Sequence, residues 1–250
     1  MKPILNRLGL VAALFVCSAQ FLHAQMPGDG SGPMSTAMLK LFGKNTNFTA
    51  KSEVQMLDQS QKETLSATLP MAMLVGKMRT EMDIGQMKSV MISPQVLAQM
   101  KQMGADKTIS LVRPDKQATY LIYPSLKAYV EMPMSEADKQ ALIKEPKIEK
   151  TSLGKETIDG HPCVKNKVVI KDDKNLAQEA TTWNATDLKD FPIRIQAKEK
   201  DTTVIMKFKE VQLAKPDAKQ FELPADYKKY ESLQELQQVM MQKMLGTPKK

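Results

Sequence analysis

Apolar and polar residues alternate along much of this chain, most plainly in the run from Lys107 to Met134. There Ile109, Leu111 and Arg113 alternate with Ser110 and Val112. Pro114, Asp115 and Lys116 then supply turn chemistry, and Tyr120, Ile122, Tyr129 and Met132 carry the period onward. Successive side chains of a strand point to opposite faces, so the run predicts three linked strands in the middle of an antiparallel sheet. The same period marks Phe48 to Met56, Leu65 to Val75 and Met78 to Ile84. Downstream it marks residues 147–157, 163–171, 177–185, 193–198 and 202–213, with Asp159-Gly160 as a strong hairpin signal.

Helical spacing interrupts the strands. A short amphipathic helix is expected from Ser35 to Phe42, closed by Gly43. Ser93 suits an N-cap, Pro94 the first helical position and Gly104 the stop, with Val96, Leu97, Met100 and Met103 on one face. Another helix opens at Ser135, with Glu136 and Asp138 in its first turn, and runs to about Lys144. A last one carries a Ser232/Glu235 capping box and an apolar face of Leu233, Leu236, Met240 and Met244. The expected fold is mainly β (α+β). It is a curved antiparallel sheet or half-open β-barrel of about nine to eleven strands, with two or three helices covering the concave side.

The N-terminus adds an address. Lys2 and Arg7 precede an apolar run from Leu8 to Leu22, and Ala24 offers a small residue before Gln25, which is the pattern of a cleaved signal peptide. The run is short for a membrane span, which needs about 20 apolar residues. Cys17 invites a lipoprotein reading, but Leu14, Phe15 and Val16 before it lack the small residue that such a signal carries. The expected division is residues 1–24 as signal peptide, 25–45 as flexible leader and short helix, 46–230 as one β-rich domain, and 231–250 as amphipathic helix and basic tail. The location expected is periplasmic or extracellular, with no integral span in the mature chain.

Composition changes the picture little. The net charge of +8 falls to +6 without Lys2 and Arg7, and the remaining lysines are scattered, as on a solvated surface. Export and scattered charge argue against nucleic acid as a partner. Aromatics make up 5% of the chain while methionine occurs 19 times, so Met, Leu, Ile and Val must build the core. Beyond residue 24, Cys163 is the only cysteine, which excludes an internal disulfide.

Candidate chemistry is sparse. His161 and Cys163 share a strand face, as a cysteine nucleophile and its base would. Pro162 lies between them, however, and no third, orienting group is implied, so a buried thiol beside a turn histidine is the simpler reading. Two ligands also fall short of a zinc site. Paired methionines suit Cu(I) in principle, yet their alternating and helical spacing is that of a core or pocket lining. Arg79, Glu81, Asp83 and Arg113 are charged within strands, either at a cavity mouth or on a solvated outer face with cross-strand ion pairs. No cofactor and no metal is expected.

The runs GKMRTEMDI (76–84) and RPDKQATYLIYPSLKAYVEMPM (113–134), with ETIDGHPCVK (156–165), WNATDLKDFPIRIQ (183–196) and FELPADYKKY (221–230), resemble domain of unknown function 4412, a family of exported bacterial proteins. That family is similar in turn to the periplasmic lipoprotein carriers (LolA/LolB-like), in which a curved sheet closes over helices to hold acyl chains. The resemblance brings no functional residues. With the alternating pattern it implies a non-enzymatic binding or carrier protein for a lipid or other hydrophobic small molecule. The cavity candidates are Met71, Met73, Met78, Met82, Leu111, Tyr120, Ile122, Tyr129, Met132, Trp183 and Phe208. The alternative is a structural or interaction protein of the cell envelope with a filled core. A Cys163-dependent hydrolase stands behind both.

Overall fold

The computed structural model describes residues 39–90, 92–136, 138–139, 147–171, 177–199 and 201–244. The expected signal peptide, the leader up to residue 38, most of the helix expected over 135–144 and the basic tail from 245 lie outside these residues. Of that helix the first turn is described, with Lys139 N–H donating to the Ser135 carbonyl.

One open sheet organises the described residues. In chain order its strands are β1 (Asn47–Leu57), β2 (Glu63–Leu74), β3 (Lys77–Asp83), β4 (Lys88–Ser89), β5 (Lys107–Arg113), β6 (Ala118–Tyr123) and β7 (Ala128–Pro133). They continue with β8 (Lys147–Ile158), β9 (His161–Lys171), β10 (Ala177–Ala185), β11 (Phe191–Glu199), β12 (Thr202–Gln212) and β13 (Lys228–Tyr230). Across the sheet the order is β13-β7-β6-β5-β3-β2-β1-β12-β11-β10-β9-β8, with β4 paired to β2. Thirteen strands exceed the nine to eleven expected, because β4 and β13 are too short to show a period. The strands are not all antiparallel: β13 runs parallel to β7 after a long crossing from β12.

Local chemistry explains the turns. Asp159 and Gly160 both take positive φ, as a tight hairpin twisted with its strands requires. Pro114–Lys116, Pro124–Leu126 and Thr186–Leu188 each make one 3₁₀ turn followed by a left-handed residue, Gln117, Lys127 or Lys189. Helix α1 (Pro94–Gln102) is capped by the Ser93 hydroxyl, which accepts from Val96 N–H. In α2 (Leu233–Met244) the Ser232 hydroxyl accepts from Glu235 N–H, and the Glu235 carboxylate reaches back to Glu231 N–H.

The sheet is bent. Lys209 of β12 forms an ion pair at 2.8 Å with Asp159, at the tip of the β8–β9 hairpin. In a flat sheet β12 and β9 would stand three spacings apart, about 14 Å, beyond the reach of a lysine. Phe48, Phe208 and Phe191, on the neighbouring strands β1, β12 and β11, meet Phe42 in one ring cluster with centroids 4.9–5.7 Å apart. Side chains from strands and from the turn Lys40–Phe42, rather than helices, fill this half of the sheet. Among the described residues, helix cover lies at the other end: Leu236 and Met240 of α2 pack with Ala128, Val130 and Tyr230, while α1 itself buries no residue fully.

Candidate functional site

Alternation gives the β2–β7 region two unlike faces. One carries Met71, Met73, Met78 and Met82 and is called here the methionine face. The other carries Arg79, Glu81, Leu111 and Arg113 and is called the arginine face. The crossing from β12 to β13 covers the arginine face. Phe221, fully buried, packs with Leu111, Ala118, Tyr120 and Ile122, and Arg113 donates to the Phe221 carbonyl at 2.6 Å.

The methionine face behaves differently. Strand registers set Met71, Thr80, Ser110, Leu121, Val130 and Tyr230 in one row across six strands. The row is buried at its ends, with Met71 at 5%, Val130 at 1% and Tyr230 at 8% exposure. It opens in the middle, where Thr80, Ser110 and Leu121 are half-buried. The adjoining row of Met73, Met78, Val112, Thr119 and Met132 is likewise buried at Met73 and Met78 and half-open beyond. The phenylalanine cluster thus closes one side of a strip and α2 the other. Among the described residues no buried hydrophobic cluster includes Leu121.

The strip is also free of charge. Every methionine-face position of β3, β5, β6 and β7 is an apolar residue, a threonine, a serine or a tyrosine. Burial pushes Tyr123 up to about 12, so this phenol is neutral too. The charges of the same strands all stand on the other face, where Arg79 pairs with Glu81 and Arg113 with Asp115.

The residues expected to line a cavity fall on both faces. Met71, Met73, Met78, Trp183 and Phe208 are buried in the phenylalanine cluster, and Met82 packs half-buried against it. Trp183 donates its indole N–H to Glu156 at 2.8 Å, with Arg194 stacked over its ring. Leu111, Tyr120, Ile122 and Tyr129 lie on the arginine face, the two tyrosines edge to face at 6.2 Å. Met132 borders the strip. Sequence reasoning passed over Thr80, Ser110 and Leu121. In β3 the sequence reading takes the uncharged phase of residues 78, 80 and 82 and leaves out only Thr80; in β5 the missed signal was the phase itself, residues 108, 110 and 112 being the uncharged one.

Two recesses of about 270 and 240 Å³ lie elsewhere. The first is lined by Asp58, Gln59, Gln61, Lys198, Asp201 and Thr203, the second between Lys51, Met71, Arg79 and Gln220. The described residues include no group of three or more His, Cys, Asp or Glu placed to hold a metal ion. His161 does have an orienting carboxylate, with Nδ1 at 2.7 Å from Asp187. Its neighbour is no thiolate, however. Cys163 is buried, burial pushes its thiol up, and its sulfur donates to the His161 carbonyl at 3.3 Å.

The sequence matches the domain of unknown function DUF4412 over residues 56–190 and 171–227. The chain belongs to this family. No curated protein matches it. Among solved structures it is similar to a LolA superfamily protein of Nitrosomonas europaea, at 10% identity and a TM-score of 0.36, over 73% of this chain and 93% of that one. It is similar to LprF of Mycobacterium bovis at 14% identity and a TM-score of 0.38, over 77% and 95% of the two chains. For the lipoprotein LppX of Mycobacterium tuberculosis the values are 10%, 0.38, 72% and 96%. No helix among the described residues is long and apolar enough to cross a membrane.

Proposed function

We propose that this DUF4412 chain is an exported, non-enzymatic binding or carrier protein of the periplasm. Its ligand, a lipid or similar hydrophobic molecule, lies on the charge-free strip of the methionine face. The observation that carries the reading is the row from Met71 to Val130, sealed at both ends and half-open at Thr80, Ser110 and Leu121. Among the described residues, the middle of this row is uncharged and less buried than its ends. A half-buried, uncharged surface of this kind gives a hydrophobic partner apolar area to remove from water. The N-terminal pattern of residues 1–24 supports export. Solvent extraction of the chain purified from Gln25 onward, followed by mass spectrometry, tests the reading. A bound hydrophobic compound is expected. A protein that yields none, and that fails to bind a neutral fluorescent naphthylamine, overturns it.

A second reading, an envelope interaction protein with a filled core, is favoured by β8. This edge strand is exposed along nearly its whole length, with Leu153 at 53% and Ile148 at 40%. The same strand carries Lys147, Lys150 and Lys155 and a register shift between Ser152 and Gly154, devices that discourage strand addition. Affinity capture that returned one stoichiometric protein partner and no lipid would decide for this reading.

A further inference from the structure

Thr80 of β3 and Ser110 of β5 stand directly opposite each other at the centre of the strip. Both are half-buried, and neither hydroxyl has a hydrogen-bond partner among the described residues. Leu121 flanks Ser110 on the far side, and Met71 flanks Thr80 on the near side. The only polar groups at the middle of this apolar row are therefore two adjacent, unengaged hydroxyls.

A ligand covering the strip must strip water from both hydroxyls. A plain hydrocarbon leaves them unpaired, which costs free energy for each group. Even bonded to each other, the pair keeps one O–H with nothing to accept it. A ligand with an oxygen acceptor at that point satisfies it. A carboxylate is also an acceptor, but no methionine-face position of β3, β5, β6 or β7 supplies a cation to offset burying its charge. We infer that Thr80 and Ser110 set the specificity of the strip. They select neutral amphiphiles that carry an ester, amide or hydroxyl oxygen beside a hydrocarbon chain, over both bare hydrocarbon and anionic fatty acid. This inference rests on the binding role proposed above.

The test compares 1-monooleoylglycerol, oleate and octadecene as competitors of bound N-phenyl-1-naphthylamine, each below its aggregation concentration. The mature chain is set beside the Thr80→Val/Ser110→Ala double variant, with circular dichroism as a check on folding. Monooleoylglycerol is expected to bind roughly three- to tenfold more tightly than either rival, the difference expected of one or two hydrogen bonds. In the double variant its advantage over octadecene should vanish, because octadecene, with no hydroxyls left to desolvate, binds more tightly than it does to the unmodified chain. Equal affinities in the unmodified chain, or a preference that survives the double substitution, overturn the inference and leave the binding role standing. Failure of all three competitors and of the naphthylamine itself overturns both.

Discussion

Arg113 holds Asp115, two residues further along the chain, in a two-pronged grip: Nε donates to one carboxylate oxygen at 2.8 Å and a terminal nitrogen to the other at 2.7 Å. The remaining terminal nitrogen donates to the Phe221 carbonyl at 2.6 Å. One buried guanidinium thus shapes the β5–β6 turn and pins the crossing that covers the arginine face.

Replacing Arg113 with methionine keeps the bulk and removes every donor. The Phe221 carbonyl is then left without its partner in a buried site, and a loss of about 2 kcal/mol is expected in urea unfolding. Lysine at the same position restores the charge but not the fork, so it should recover only part of the loss. Limited proteolysis between residues 213 and 228 should speed up in the methionine variant. A change under about 0.5 kcal/mol, the size of an ordinary surface substitution, would show that Phe221 holds the crossing without help.

The same grip makes stability depend on pH in acid. The Arg113 guanidinium holds the Asp115 carboxyl at about 2, below its ordinary 3.8. A carboxyl depressed by folding adds stability that is present in full above its unfolded value and is lost as pH falls through the folded one. The contribution should therefore be constant above about pH 4 and fade towards pH 2. Half-exposure of Asp115 keeps it modest. In Asp115→Asn, the difference in melting temperature from the unmodified chain should shrink over that window. A difference that persists unchanged at pH 2 would assign the stabilisation to something other than the ion pair.

Much of the architecture is legible in the sequence, for reasons visible in particular residues. Ser93, Pro94 and Gly104 act locally, so the bounds of α1 follow from them. Asp159-Gly160 dictates its own hairpin. The alternation from Ile109 to Met132 identifies β5, β6 and β7, because a strand's period needs no knowledge of its neighbours. Alternation alone is silent on which phase faces what. Leu111, Tyr120 and Ile122 look like the lining of a hollow. They are instead the floor under Phe221, a residue about a hundred positions away, placed there by the parallel pairing of the three-residue β13. The scarcity of aromatics likewise hid that four of the seven phenylalanines meet in one cluster, which the pairing order β1-β12-β11 brings about.

Cys163 offers a check on the reading of its thiol as a buried, inert one. With its sulfur buried and its proton engaged by the His161 carbonyl, iodoacetamide at pH 8 should modify the native protein far more slowly than the urea-unfolded chain. Cys163→Ser should bind the naphthylamine probe as the unmodified chain does and lose about 1 kcal/mol of stability, since the smaller, more polar hydroxyl fills an apolar site less well. Rapid native labelling would instead mark an accessible, activated thiol and reopen the hydrolase reading.

Leu121 separates binding from folding. It occupies the centre of the open row, between Ser110 and Val130, and belongs to no buried cluster among the described residues. Because it is only half-buried, Leu121→Lys can lift its charge towards solvent and should cost no more than about 1 kcal/mol. Its effect on a hydrophobic ligand is another matter. A cation in the middle of the strip must be desolvated by any hydrocarbon lying across it, and at least a tenfold loss of naphthylamine affinity is expected. Val130→Lys, one strand away in the same row, should do the reverse and damage folding first, because Val130 is 1% exposed beneath α2. If Leu121→Lys left ligand content and probe affinity unchanged, the strip would be no binding surface, however well its charge pattern suits one.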